Sequence, residues 1–79
     1  MKRAGSHEPY TEDAIRRLKC VRCGARAKFQ WQCCADGNTW RPICPACDVE
    51  LNALVLLWMR DPEAEAKVSD YAQQKGVLL

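Results

Sequence analysis

The residues best suited to chemistry are four cysteines in two Cys-x-x-Cys pairs, Cys20–Cys23 and Cys44–Cys47, with twenty residues between the pairs. A thiolate is a soft, charged donor, and four of them in two such pairs match the tetrahedral shell of one structural zinc ion. Each pair sets two sulfurs on a tight turn, and the chain between must fold the turns against one ion. Four protein ligands close the shell, so the predicted Zn2+ is structural, leaves no open catalytic position and is coupled to folding. Two disulfides or an iron–sulfur site are the alternatives for the same cysteines.

Other reactive groups are sparse. Cys33 and Cys34 are neighbours in sequence, and neighbours in a strand point to opposite faces, so they do not easily share one ion. Cys33 is expected in the core beside Trp31 and Cys34 nearer solvent, with ligand exchange or a redox role as the alternative. His7 is the single histidine and falls in the N-terminal stretch. One histidine so placed gives no Cys–His nucleophile pair, and no paired carboxylates stand out. The chain reads as non-enzymatic.

The elements that must position these groups follow from pattern. With 79 residues, a core alone supplies little stability, and a metal staple is expected. Residues 1–10 read as a flexible tail and 11–79 as a single zinc-binding domain. Thr11 caps a short helix that has Glu12 and Asp13 in its first turn. Ile15 and Leu18 lie on one face of that helix, and Tyr10 and Ile15 form a hydrophobic staple. Cys20 to Gly24 form a knuckle, with glycine freeing the backbone to turn. Phe29, Trp31 and Cys33 alternate with Lys28, Gln30, Gln32 and Cys34, the period of a half-buried strand. Asp36-Gly37 centres a turn, and Thr39 to Ile43 return as the partner strand, with Pro42 limiting it to an edge. Pro45 opens a helix in which Leu51, Leu54, Val55 and Trp58 share a stripe. Leu56, Leu57 and Met59 widen that stripe beyond one face. The surplus is expected to be covered by residues 62–75 and 12–18, with a homodimer as the alternative. Asp61-Pro62 ends this helix and starts a C-terminal one over 62–75, with Ala64, Val68, Tyr71 and Ala72 inward and Gly76 as its stop.

The order knuckle, hairpin, then a helix bearing the second cysteine pair resembles the treble-clef zinc finger over residues 20–60. The fold class expected is therefore small α+β, a treble clef with flanking N- and C-terminal helices. A zinc ribbon would place the second pair in another hairpin knuckle. The stretch Trp40-Arg-Pro-Ile-Cys-Pro-Ala-Cys-Asp-Val-Glu-Leu-Asn52 is similar to the zinc-binding segment of phage recombination endonuclease VII and other HNH nucleases, where the pattern runs Val-Arg-Gly-Leu-Leu-Cys-x-x-Cys-Asn. Arg41, Cys44 and Cys47 match that pattern, and Asp48 stands where the family carries asparagine. The family also needs an Asp-His motif on the hairpin, and the segment from Gln30 to Asn38 contains no histidine. The resemblance implies the fold, the structural zinc and a phage or mobile-element origin, without the nuclease activity.

Charge suggests what the module touches. Residues 1–41 hold nine Lys/Arg and four Asp/Glu, a balance of +5, while residues 42–79 hold three and six, a balance of −3. The first half can face a polyanion. Three readings follow. In the first, a nucleic-acid-binding accessory or regulatory protein uses Arg16, Arg17, Arg22, Arg26, Lys28 and Arg41 on phosphates and Trp40 on bases, with Lys19 in the same basic set. In the second, a protein-interaction module binds a host or phage protein, as inhibitor or adaptor, through Leu51, Leu54, Val55 and Trp58 or through the hairpin. In the third, a degenerate nuclease uses Asp48. The longest apolar run, Leu51 to Met59, is too short to span a bilayer. With no secretory signal in view, the expected compartment is the cytoplasm, the host's if the chain is phage-encoded.

Overall fold

Local signals set where each element starts and stops in the computed structural model, which describes residues 6–78. The hydroxyl of Thr11 accepts a hydrogen bond from the Ala14 amide and caps α1, Glu12–Arg16. Ile15 is its buried residue. The Arg26 guanidinium donates to the Arg16 carbonyl at 2.9 Å and so satisfies one of the acceptors left at the C-terminal end.

Strands β1, Phe29–Cys33, and β2, Thr39–Ile43, form a two-stranded antiparallel sheet, with Phe29 opposite Ile43, Trp31 opposite Arg41 and Cys33 opposite Thr39. A 3-10 turn at Cys34–Asp36 joins them, followed by positive φ at Gly37 and Asn38. Pro42 sits in mid-strand without loss. Its register partner is Gln30, and its carbonyl turns outward to accept from the Val21 amide at 3.0 Å. The missing N–H therefore lies on the edge away from β1.

The same outer edge is covered further along. The Trp40 amide donates to Ser6 O at 2.6 Å, and the Ser6 amide donates to Trp40 O at 3.3 Å. Gln30 binds both backbone groups of Tyr10, each at 2.8 Å. Residues 6–10 are thus pinned to the hairpin, where the sequence suggests a tail over 1–10; residues 1–5 lie outside the described residues. These bonds also explain why β1 lacks clean alternation. Gln32 is exposed, but Gln30 is half-buried beneath the chain it binds.

Helix α2, Pro45–Trp58, begins with Pro45 and has Cys47, Asp48 and Val49 as its buried residues. Its end is a Schellman motif: the Arg60 amide donates to Leu57 O and the Asp61 amide to Leu56 O. Helix α3, Ala64–Gln74, starts two residues later than expected, because Asp61 and Pro62 form a turn in which Asp61 Oδ1 accepts from the Glu63 amide. It ends in the same motif as α2, with Gly76 in the left-handed position.

The described residues therefore form a small α+β chain with one hairpin and three α-helices. By contact the chain divides into two compact units, Met1–Cys44 and Pro45–Leu79. No helix among the described residues is long and apolar enough to cross a membrane.

Candidate metal centre

The first knuckle is a miniature hairpin. Ala27 donates its amide to Leu18 O, Lys19 bridges Arg26, and the Cys20 amide donates to Ala25 O at 2.6 Å. Gly24 closes the turn at φ 82°, with its amide on Cys20 O. A side chain is disfavoured in that left-handed region, so glycine is the residue that lets the turn close. The Arg22 amide points at Cys20 Sγ from 3.4 Å. The second pair is set by β2 and α2: Cys44 follows the strand, and Cys47 stands three residues on, in the first turn of the helix.

The sulfurs of Cys20, Cys23, Cys44 and Cys47 all lie within 4.8 Å of one another. Cys20, Cys44 and Cys47 are buried and Cys23 is exposed. Cys23 Sγ and Cys44 Sγ are 3.6 Å apart, and none of the six cysteines is in a disulfide. The cluster has the number, type and spacing of donors to hold one metal ion, as the two-pair pattern predicts. Burial acts to raise the Cys20 thiol, but it is outweighed. Backbone hydrogen bonds from Cys23, Cys44 and Arg22, with a side-chain bond from Cys23, bring it down from 9.0 to about 6. At neutral pH that favours the thiolate, the form that binds metal.

Cys33 and Cys34 stand apart from this cluster. Cys33 is half-buried and lines a shallow groove with Trp31, Asp36 and Arg41, while Cys34 is exposed on the 3-10 turn.

The predicted contact residues divide. Arg41 is only 4 % exposed. Its Nε donates to Asp36 Oδ2 at 2.7 Å, its Nη2 reaches the same oxygen, and Thr39 Oγ1 joins at 2.9 Å. Arg41 is therefore a strut inside the hairpin, in place of the expected phosphate contact. The strand register carried the signal: Arg41 shares a face with Phe29, Trp31 and Ile43. Trp40 lies half-buried on the other face, as does Trp31 on the inner one.

Arg16, Arg17, Lys19, Arg22, Arg26 and Lys28 are all exposed. Five of them converge. Arg16, Arg26 and Lys28 line a groove of about 530 Å³ with Glu12 and Phe29. Arg16 and Arg26 also border a second groove with Arg17 and Lys19. The lateral pairing of Lys19 with Arg26 brings these cations together. Asp13 lies 3.7 Å from Arg16, both side chains being largely in water, where such a pair is weak.

On α2, Leu51 is half-buried. Leu54 is 59 %, Val55 44 % and Trp58 81 % exposed, and Leu57 and Met59 are also exposed. The cover expected from 62–75 and 12–18 leaves this side of the helix open. Asp48 is a group that the sequence pattern did not single out as structural. It is buried, accepts from Tyr71 Oη at 2.5 Å, and takes the Asn52 amide nitrogen on its backbone carbonyl at 2.8 Å. Burial first, and then the bond and charge of Asp48, push the Tyr71 hydroxyl up to about 12.

Comparison with known proteins yields no match: no family model, no curated protein and no solved structure pairs with this chain. The likeness around Trp40 to Asn52 rests on those residues alone.

Proposed function

We propose that this chain is a zinc-held module of treble-clef type that binds nucleic acid through the cations around its first knuckle. The observation that carries the reading is the convergence of Arg16, Arg17, Lys19, Arg26 and Lys28 on two adjoining grooves. Guanidinium and ammonium groups so grouped match a run of phosphates, and Phe29 at the groove edge offers a ring to an unpaired base. Zinc is the metal that four thiolates suit best. Around a zinc with bonds of ~2.3 Å, tetrahedral sulfurs stand roughly 3.8 Å apart, close to the 3.6 Å between Cys23 and Cys44.

The reading is non-enzymatic. Asp48, the carboxylate a degenerate nuclease would need, is buried and bonded to Tyr71, and His7 is exposed near the N-terminal end of the described chain. An accessory or regulatory role in a phage, in the host cytoplasm, extends the same reading from the match at Arg41, Cys44 and Cys47. A protein-interaction role is favoured separately by the open apolar side of α2.

The test is fluorescence anisotropy with labelled single-stranded and duplex oligonucleotides across a salt series. Four to five phosphate contacts predict a slope of log K against log salt of about −4, and each charge reversal among Arg17, Lys19 and Lys28 reduces it by about 1. Absence of binding to either oligonucleotide at low salt overturns the reading.

A further inference from the structure

The open side of α2 is a continuous surface. Leu54, Val55, Leu57, Trp58 and Met59 are 59, 44, 64, 81 and 53 % exposed. At 100° per residue they occupy an arc of roughly 200° with Trp58 near its middle. The opposite side is taken up by Val49, Asn52, Ala53 and Leu56, which are buried or half-buried. Taking about 200 Å² for a large side chain, the five fractions leave on the order of 600 Å² of apolar surface on one helix. That is the upper end of the largest patch on a lone soluble protein. It is also most of the roughly 800 Å² that each partner buries in a standard interface.

We infer that this face is a dimer interface and that its occupant is a second copy of the same chain. Two features select a copy over an unlike partner. First, no charged residue occurs from Leu51 to Met59, so two copies of the stripe meet without like-charge repulsion. An unlike partner selected by charge would need a charge here to read. Second, two such stripes face to face bury on the order of 1,200 Å², the lower end of what a stable interface needs. A two-fold antiparallel crossing lets each copy contribute the same stripe. Trp58, the most exposed of the set, then packs against the other copy's Leu54 and Val55 as the anchor that such interfaces favour. The interface lies within the second unit and uses none of the knuckle cations, so it stands or falls independently of nucleic-acid binding.

Sedimentation velocity on the full metal-loaded chain, from about 1 μM to about 1 mM, reads the association directly. The expected result is a concentration-dependent shift from the 9.0 kDa species to twice that mass. Trp58→Glu weakens the dimer at least about 30-fold, with an unchanged far-UV spectrum because Trp58 is 81 % exposed. Should that variant misfold, Leu54→Lys reads the same face. A wild-type chain that stays monomeric throughout overturns the inference, whether the stripe is bare or is taken by an unlike protein. A dimer that persists unchanged in folded Trp58→Glu and Leu54→Lys variants overturns it as well.

Discussion

Arg60 stands at φ 57°, in a left-handed position where Gly76 serves the equivalent role for α3. A Cβ is strained there, so Arg60→Gly is expected to stabilise the chain by about 0.5–1 kcal/mol, less what glycine costs in the unfolded state. The measurement is the urea midpoint, which should rise with the slope unchanged. Arg41 behaves in the opposite way. Arg41→Met strips Asp36 of its guanidinium partner. Because the Asp36 side chain is 31 % exposed, the loss is expected at about 2–3 kcal/mol, short of that for a fully buried pair. The folded fraction of this variant should keep the wild-type salt slope for oligonucleotides, which a phosphate-contacting arginine would not. Cys20 carries a pH signature. Its folded-state pKa is lowered from 9.0 to about 6. The preference of the fold for the Cys20 thiolate is thus fully present above pH 9 and is lost as pH falls through 6. Metal affinity should drop over the same acid limb as protons compete for the thiolate, readable by chelator competition.

The joint between α2 and α3 is a polar one: Tyr71 donates to Asp48, which is buried in the first turn of α2. Tyr71→Phe removes that donor and is expected to cost about 1–2 kcal/mol, the desolvation of an acceptor left short of a partner. The raised Tyr71 pKa fixes the sign of the pH effect. Its contribution is present below pH 10 and fades as pH rises towards 12. Thermal melts between those limits should fall more steeply for wild type than for Tyr71→Phe. Much at this level was legible from pattern. Thr11, Pro45 and Gly76 announced helix ends by backbone chemistry, and Asp36-Gly37 announced the hairpin turn. The burial of Arg41 was not, because a charge in a strand is read as exposed until the register sets it beside Trp31 and Ile43. The pinning of Ser6 and Tyr10 was equally hidden, since it depends on a strand edge and a glutamine far along the chain. Asp48 and Tyr71 lie 23 residues apart, and no local periodicity connects them.

Charge and apolar surface fall to different units of the chain, Met1–Cys44 and Pro45–Leu79, in a way that composition only hinted at. The positive half became a defined set of five cations around two grooves. The apolar helix, expected to be covered, kept Leu54, Leu57 and Trp58 open, while the buried residues of α3 are the small Ala64 and Ala72. The two cysteine pairs were fully legible, since metal spacing is written in sequence as directly as in space. With apolar burial this modest, the proposed zinc should carry much of the stability, as structural zinc does in other small domains. Cys44→Ser is therefore expected to abolish both metal retention and cooperative unfolding. Native mass spectrometry with parallel circular dichroism, before and after a strong chelator, tests the account most directly. It predicts one zinc per chain bound to four thiolates, and loss of the folded spectrum when that ion is removed. A chain that is fully folded without metal, or that holds its cysteines in two disulfides, would contradict it.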